Sequence, residues 1–362
     1  MLRSDPMFAF VYVQAEFRMD FAVLSPIQAV STEEAVRRMV RLYMPRTYSD
    51  LSTRFDALVF WHANRLAFTD RNIEMLARGI EEAGIGMLMF GGWESFGGYS
   101  SFGSPWGDSH LGRLLPTNDV LGGWIDDGQF VIDQEDNEFI SSLSWKPTRN
   151  FNVRGTCHHN IVTVKPGADQ LAHLVNRVQP DHPGMVTWKL GGGSRVFAFL
   201  VEVFHFYYWE YFTDLGANLA IYIDGRPVPQ DLELVHMVRA KIQQISTRRS
   251  LLMGLVEFCE SFGANTEQLM VKVDEVELAM ARATPQYLDM QFGESLETFD
   301  QVDEMVKEVE VIAIEVKNRA LFWVYVVEWL AVTGTLMASG FVLWSVMIRR
   351  RLYRRVRATR FV

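Results

Sequence analysis

The chain has 362 residues, 49% hydrophobic and 22% charged, with two cysteines, Cys157 and Cys259. That composition excludes a disordered chain and a disulfide-stapled framework, because two cysteines allow at most one bridge and neither lies in a CxxC spacing. The net charge of −9 conceals an asymmetry: the last fourteen residues hold seven arginines, and the rest, with 28 basic residues (35 less those seven) against 44 acidic, should repel nucleic acid.

In chain order, MFAFVYV (Met7 to Val13) reads as a buried strand. STEEAVRRMVRLYM reads as a helix with a capping box from Ser31 to Glu34. Ala57 to Trp61 reads as a second strand. The helix TDRNIEMLARGIEEAG has Thr69 as N-cap and Gly84 as its stop. Met87 to Phe90 forms a third strand and ends in the glycine-rich turn GGWESFGG. Strands separated by helices of this length imply a wound, mostly parallel sheet. From Ser100 to Arg154 the pattern loosens into long loops with short strands. NIVTVKPG then reads as a strand, VTWKLGGGSRVFAFLVE as two strands about a glycine turn, and WEYFTDLGANLAIYI as a helix. Gly191 to Gly193 reads as a hairpin turn rather than a phosphate loop, because no helix opens after it. No cofactor motif is legible.

From Pro227 onward the sequence is helical. Pro229 opens one helix, TRRSLLMGLVEFCESFG forms a second ending at Gly263, and a third runs from Thr266 to about Ala283, where Pro285 interrupts. The last helix carries Phe299, Val302, Val306, Val309, Ala313, Val316 and Ala320 at alternating spacings of three and four, a heptad seam. The seam implies a stalk, either a hairpin within one chain, the preferred reading, or a homodimer contact.

The seam runs without Pro or Gly into LFWVYVVEWLAVTGTLMASGFVLWSVMI (Leu321 to Ile348), whose only charge is Glu328. About 20 apolar residues cross a bilayer core. Trp323, Tyr325 and Trp329 at one end and Trp344 at the other match interfacial aromatic belts, and Glu328 lies near enough to the boundary to snorkel. Arg349, Arg350 and Arg351 open the basic tail. The positive-inside rule puts that tail in the cytoplasm and the globular body outside. No cleavable leader is legible near Met1, so either the start lies upstream or the body is cytosolic; the external body is preferred.

The stretch FDALVFWHANRLAFTDRNIEMLARGIEEAGIGMLMFGGWESFGG resembles the glutamine amidotransferase-like family, relatives of the class I glutamine amidotransferase fold. A strand ends near His62, an E-x-G-x-G-like lead enters an apolar strand, and a G-G-x-x-S-F-x-G turn follows. LGRLLP, VKPGADQLA and GGGSRVFAF are similar to later segments of the family, so that the resemblance covers about Phe8 to Asp224. It implies a class I amidotransferase-like α/β domain over 1–226, followed by a helical stalk (227–319), one transmembrane helix (320–348) and an Arg-rich tail (349–362).

In a working member of that fold, a Cys sits on a G-x-C-x-G elbow, a downstream His activates it, and backbone amides hold the oxyanion. Here Gly91 falls on the first glycine, Trp93 on the Cys position and Ser95 on the second glycine; shifting by one puts Gly92 at the Cys position. Neither indole nor hydrogen attacks a carbonyl. The elbow pocket of His62, Gly91, Gly92, Trp93, Glu94 and Ser95 is therefore expected to bind a protein or a small molecule rather than to cleave. Trp61, Trp106 and Trp124 make the region aromatic, as ordinary core or as a binding surface. The alternative is a hydrolase or amidotransferase using Ser95, or Cys157 with His159, and a neighbouring His. Cys157 and His159 fall on one face of a regular strand and His158 on the other. Together with Glu202, His205 or Asp119 that pair has the donors for a thiol or metal site, but no established metal spacing is present, and a structural role is the first reading.

Overall fold

The computed structural model describes residues 5–17, 32–99, 105–149, 151–177, 180–191 and 193–358, the side chains of 354–358 excepted. The chain divides into two units, Met1–Arg239 and Ala240–Val362. The division falls inside a helix, thirteen residues beyond the expected boundary at 226.

The first unit opens with α1 (Glu33–Tyr43), capped by Thr32, whose side chain accepts from the Ala35 amide. The expected cap, Ser31, lies outside the described residues. Val36 and Val40, four apart, turn one buried face inward. Next come α2 (Tyr48–Arg54) and β1 (Ala57–Phe60), then α3 (Asp70–Ala83) with a capping box between Thr69 and Asn72, and β2 (Gly86–Phe90). Gly84 ends α3 at φ 76°, a left-handed conformation that glycine adopts without a steric penalty. β3 (Thr117–Ile125), β4 (Gln129–Ile132) and the short α4 (Glu138–Ser141) fill the loosely patterned stretch. β5 (His159–Val164), β6 (Asp169–Val175), β7 (His182–Lys189), β8 (Arg195–Phe199) and α5 (Phe212–Ile223) complete the α/β part. Met7 to Val13 is not a strand, and Phe10, Val11 and Tyr12 stay exposed.

Six strands form one sheet in the order β1-β2-β8-β7-β6-β4. β1, β2 and β8 run parallel; the pairings from β8 through β7 and β6 to β4 are antiparallel. The expected parallel sheet is thus the β1-β2-β8 half, and glycine-turn and loop connections extend it with antiparallel strands. β3 and β5 form a separate two-stranded antiparallel sheet. Side-chain alternation divides the core in two. Met87, Met89, Val196 and Ala198 pack with Val40, Leu51, Ile73 and Ile80 of α1, α2 and α3. Phe197 and Phe199 point the other way into an aromatic cluster, with Phe139 at 5.4 Å, Phe206 at 5.5 Å and Phe130 at 6.2 Å between ring centroids.

α6 (Leu232–Ser261), α7 (Glu267–Leu288) and α8 (Phe292–Ala358) follow. Two of these differ from expectation. α6 is one helix rather than two: it runs on through Thr247 and Ser250, whose hydroxyls bond the carbonyls of Gln243 and Ser246 one turn back. α7 runs through Pro285 to Leu288, where Tyr287, fully buried, packs its ring 5.7 Å from Phe292 and 6.5 Å from Phe299. Tertiary packing there outweighs the hydrogen bond that a proline removes.

In the second unit Phe299, Val302, Val306, Val309 and Ala313 are buried, as are Leu269, Val273, Val276 and Ala283 of α7. The heptad seam is thus filled within one chain. Asp303 on α8 meets Lys241 at 3.3 Å and Lys307 at 3.2 Å. Further along, α8 contains a stretch long and apolar enough to cross a membrane, with none of it buried in the protein. Trp329, Trp344, Arg349, Arg350 and Arg351 are all exposed.

Candidate functional site

The carboxyl ends of three parallel strands converge on one place, as open α/β sheets lead one to expect. β1 delivers Trp61 and His62, β2 the elbow Gly91 to Ser95, and β8 the segment Leu200 to Glu202. All six expected pocket residues therefore gather at this edge.

The elbow is closed by Asn160 of β5. Its Oδ1 accepts from the Gly92 amide at 2.8 Å, and its Nδ2 donates to the carbonyls of Gly92 at 3.1 Å and Ser95 at 3.3 Å. The Gly92 amide at the start of the turn is thereby occupied. His62 lies directly on the turn: a Cβ at Gly92 would meet its Cε1 and Nδ1 at 2.7 Å, so only glycine fits. His62 itself holds φ 49°, a left-handed conformation costing a side-chain-bearing residue roughly 1–2 kcal/mol. Trp93, at the expected nucleophile position, packs against Tyr99 with ring centroids 5.7 Å apart. Ser95 is buried, and its Oγ has no hydrogen-bond partner among the described residues.

Carboxyl groups surround His62. Glu16 Oε1 lies 3.9 Å from Nδ1 and Glu202 Oε1 3.7 Å from Nε2. Glu94, buried, accepts from the Phe17 amide at 2.8 Å. Burial pushes His62 down to about 4, so its imidazole is neutral at pH 7. Burial, with the charges of Glu94 and Glu202, pushes Glu16 up to about 8, so that its carboxyl retains a proton at neutrality.

Glu202 is 1% exposed, and its second oxygen lies 3.7 Å from His158 Nδ1. The Glu202 carboxylate raises the pKa of His158, while burial raises that of Glu202 itself. His205 Nε2 accepts from the His158 amide at 3.1 Å, and burial pushes that imidazole down to about 4. The ligand-type atoms of His158, Glu202 and His205 all lie within 4.8 Å of one another. An aromatic row joins this cluster to the elbow: Tyr99 lies 5.9 Å from Trp124, and Trp124 6.1 Å from His158.

The alternative nucleophile is placed differently. Cys157 Sγ faces the Gly155 carbonyl at 3.4 Å, and burial pushes its thiol up to about 12. His159 sets Nδ1 3.5 Å from the Cys157 carbonyl rather than the thiol, and its ring lies tilted against His182 at 5.8 Å between centroids. It is His158, on the other face, that meets Glu202 and His205. Asp119 accepts from the Gly107 amide at 2.7 Å, outside that cluster. Trp106 is core, its indole donating to the Ala63 carbonyl. Sequence reasoning missed Glu16 and Asn160. Glu16 is the one acid between Met7 and Phe17 and was open to notice; Asn160 carries no local signal.

No protein-family model matches the chain, and no curated protein matches it.

Proposed function

We propose that the chain is a membrane-anchored binding module whose α/β unit adopts an amidotransferase-like arrangement without glutaminase chemistry. One observation carries this reading: the elbow has an indole where the nucleophile belongs, and the Gly92 amide beside it is taken by Asn160. A Cys nucleophile needs a thiolate within reach of a base; Cys157 has a protonated thiol on a carbonyl, and Ser95 has no imidazole on its hydroxyl. The row of Trp93, Tyr99 and Trp124 beside buried polar groups suits a ligand site, apolar walls with a few fixed polar contacts.

The apolar stretch of α8 supports a single span, with its arginines on the cytoplasmic side and the α/β unit outside. Anionic lipid would hold each of those arginines by about 1 kcal/mol near the surface. The filled seam of α7 and α8 favours a stalk folded within one chain over a dimer.

The test is ammonia release from glutamine by the full chain in detergent micelles, beside the Cys157→Ser variant. No release above the protein-free rate is expected from either. Sustained release from the wild type would overturn the reading, and its loss in Cys157→Ser would place the nucleophile there.

A further inference from the structure

We propose that His158, Glu202 and His205 form a binding site for a divalent transition cation of the zinc class. The inference goes beyond the binding-module reading and does not depend on it.

Two imidazoles and a carboxylate are a donor set that zinc accepts, with a coordination position left open. The chain brings them together by two routes. Glu202 sits at the N-cap position of the 3-10 turn Val203–Phe206 with its side chain making no capping bond, and three residues per turn set Glu202 and His205, three apart, on the same side. His158 arrives from the residue before β5, and its amide already donates to His205. The three donor atoms lie within 4.8 Å of one another. A tetrahedral zinc site spaces such atoms about 3.3 Å apart, a contraction within reach of side-chain torsions.

Two of the donors have electron pairs a metal can take. His205 Nε2 carries a lone pair rather than a proton, since it accepts from the His158 amide, and a metal bound there takes that lone pair in place of the amide. Glu202 is 1% exposed, and its Oε1 has no hydrogen-bond partner among the described residues. A buried carboxylate oxygen left that way is costly unless a cation or donor reaches it. No Lys or Arg ion pair to Glu202 occurs among the described residues; its charged-type neighbours are the imidazoles of His62 and His158, each 3.7 Å away. Asp126 Oδ1, 3.9 Å from His158 Nδ1 and bonded to the Trp124 indole at 2.6 Å, adds a second negative group beside the site.

The experiment uses the full chain in detergent, stripped with chelator and titrated with Zn²⁺ by calorimetry and with Co²⁺ by visible absorption. One equivalent is expected, with d–d bands of a low-coordinate site. Glu202→Gln, His158→Asn and His205→Asn should each weaken binding at least about 100-fold, beyond the roughly 10–100-fold of outer-shell changes. A second measurement needs no variant: in the wild type, Zn²⁺ should protect His158 and His205 from diethyl pyrocarbonate while His236 reacts at an unchanged rate. Stoichiometric binding that survives all three substitutions, no binding by the wild type, or equal modification of His158 with and without Zn²⁺ would overturn the proposal. None of those results would bear on whether the elbow hydrolyses glutamine.

Discussion

Two buried carboxylates, one in each unit, are treated in opposite ways. Asp303 of α8 is 2% exposed and has three cationic side chains around it: Lys307 at 3.2 Å, Lys241 at 3.3 Å and Arg248 at 3.8 Å. Burial alone would raise its pKa, but the hydrogen bonds from Lys307 and Lys241 bring it below the ordinary value. Glu202 is 1% exposed and has only imidazoles at 3.7 Å, and its pKa is raised. The first carboxylate is neutralised by chain that cannot leave, which is what a structural ion pair requires. The second is held beside weak, displaceable partners, a pattern that costs stability and that proteins keep where something else must bind.

The substitution that tests this difference most strongly is Asp303→Ala. It should destabilise the helical unit by about 2–3 kcal/mol, since three cations lose a charged acceptor. Glu202→Gln should leave the metal-free α/β unit as stable as the wild type or more so, because it removes a buried charge without removing a strong partner. Urea titrations of the full chain, read by circular dichroism for the helices and by tryptophan fluorescence for the α/β unit, give both numbers. Equal losses for the two variants would erase the distinction.

Those two sites were not equally legible. The stalk could be read because its code is local: residues three and four apart along α7 and α8 repeat an apolar spacing, and the structure buries Phe299, Val302, Val306 and Val309 as the spacing requires. β2 and its glycine turn were readable for the same reason, an apolar run closed by residues that stop a strand. Pro285 and the Ser246–Ser250 stretch misled, because packing against neighbours that are distant in sequence overrides local helix propensity. The site was half visible. His62 and the elbow lie at the ends of adjacent parallel strands, so topology brings them together. Glu16, Asn160 and the pairing of His158 with Glu202 depend on how β5 and the N-terminal segment pass that edge, which no periodicity encodes.

Asn160 sharpens the comparison from the polar side. It closes the elbow with three hydrogen bonds to the turn's backbone. Asn160→Ala should cost about 2 kcal/mol, because it strands the buried Gly92 amide; the carbonyls of Gly92 and Ser95 keep the backbone amides of Ser95 and Gly98. Asn160→Asp should cost more, since the carboxylate, although it accepts from Gly92, sets a buried negative charge against the carbonyl oxygens of Gly92 and Ser95. Tryptophan fluorescence unfolding reads both, and an Asp variant as stable as the wild type would remove Asn160 from its role as the turn's clasp.

The smallest expected effect concerns a third buried carboxylate, Asp214 of α5, which lies between the two extremes. It has a fixed partner, Arg239 at 2.9 Å, and a titrating one, His236 Nδ1 at 2.7 Å. Arg239 also bonds Asn218 at 2.9 Å and lies 3.8 Å from Asp5. The hydrogen bond to Asp214 raises His236, burial opposes it, the charges of Asp214 and Glu210 add to the rise and Arg239 reduces it; the ring of Tyr211 covers the imidazole at 5.0 Å. A histidine whose folded pKa exceeds the unfolded value of about 6.5 contributes its full stabilisation below that pH and loses it as pH rises through the folded value. The α/β unit should therefore lose stability as pH rises above about 6.5 and through the raised His236 value, by an increment that His236→Gln abolishes. Because His236 is about one-third exposed, the increment should be modest and should shrink further in high salt. A wild-type profile that matches the Gln variant over this range would mean that Arg239 alone compensates Asp214, and that this carboxylate belongs with Asp303 rather than with Glu202.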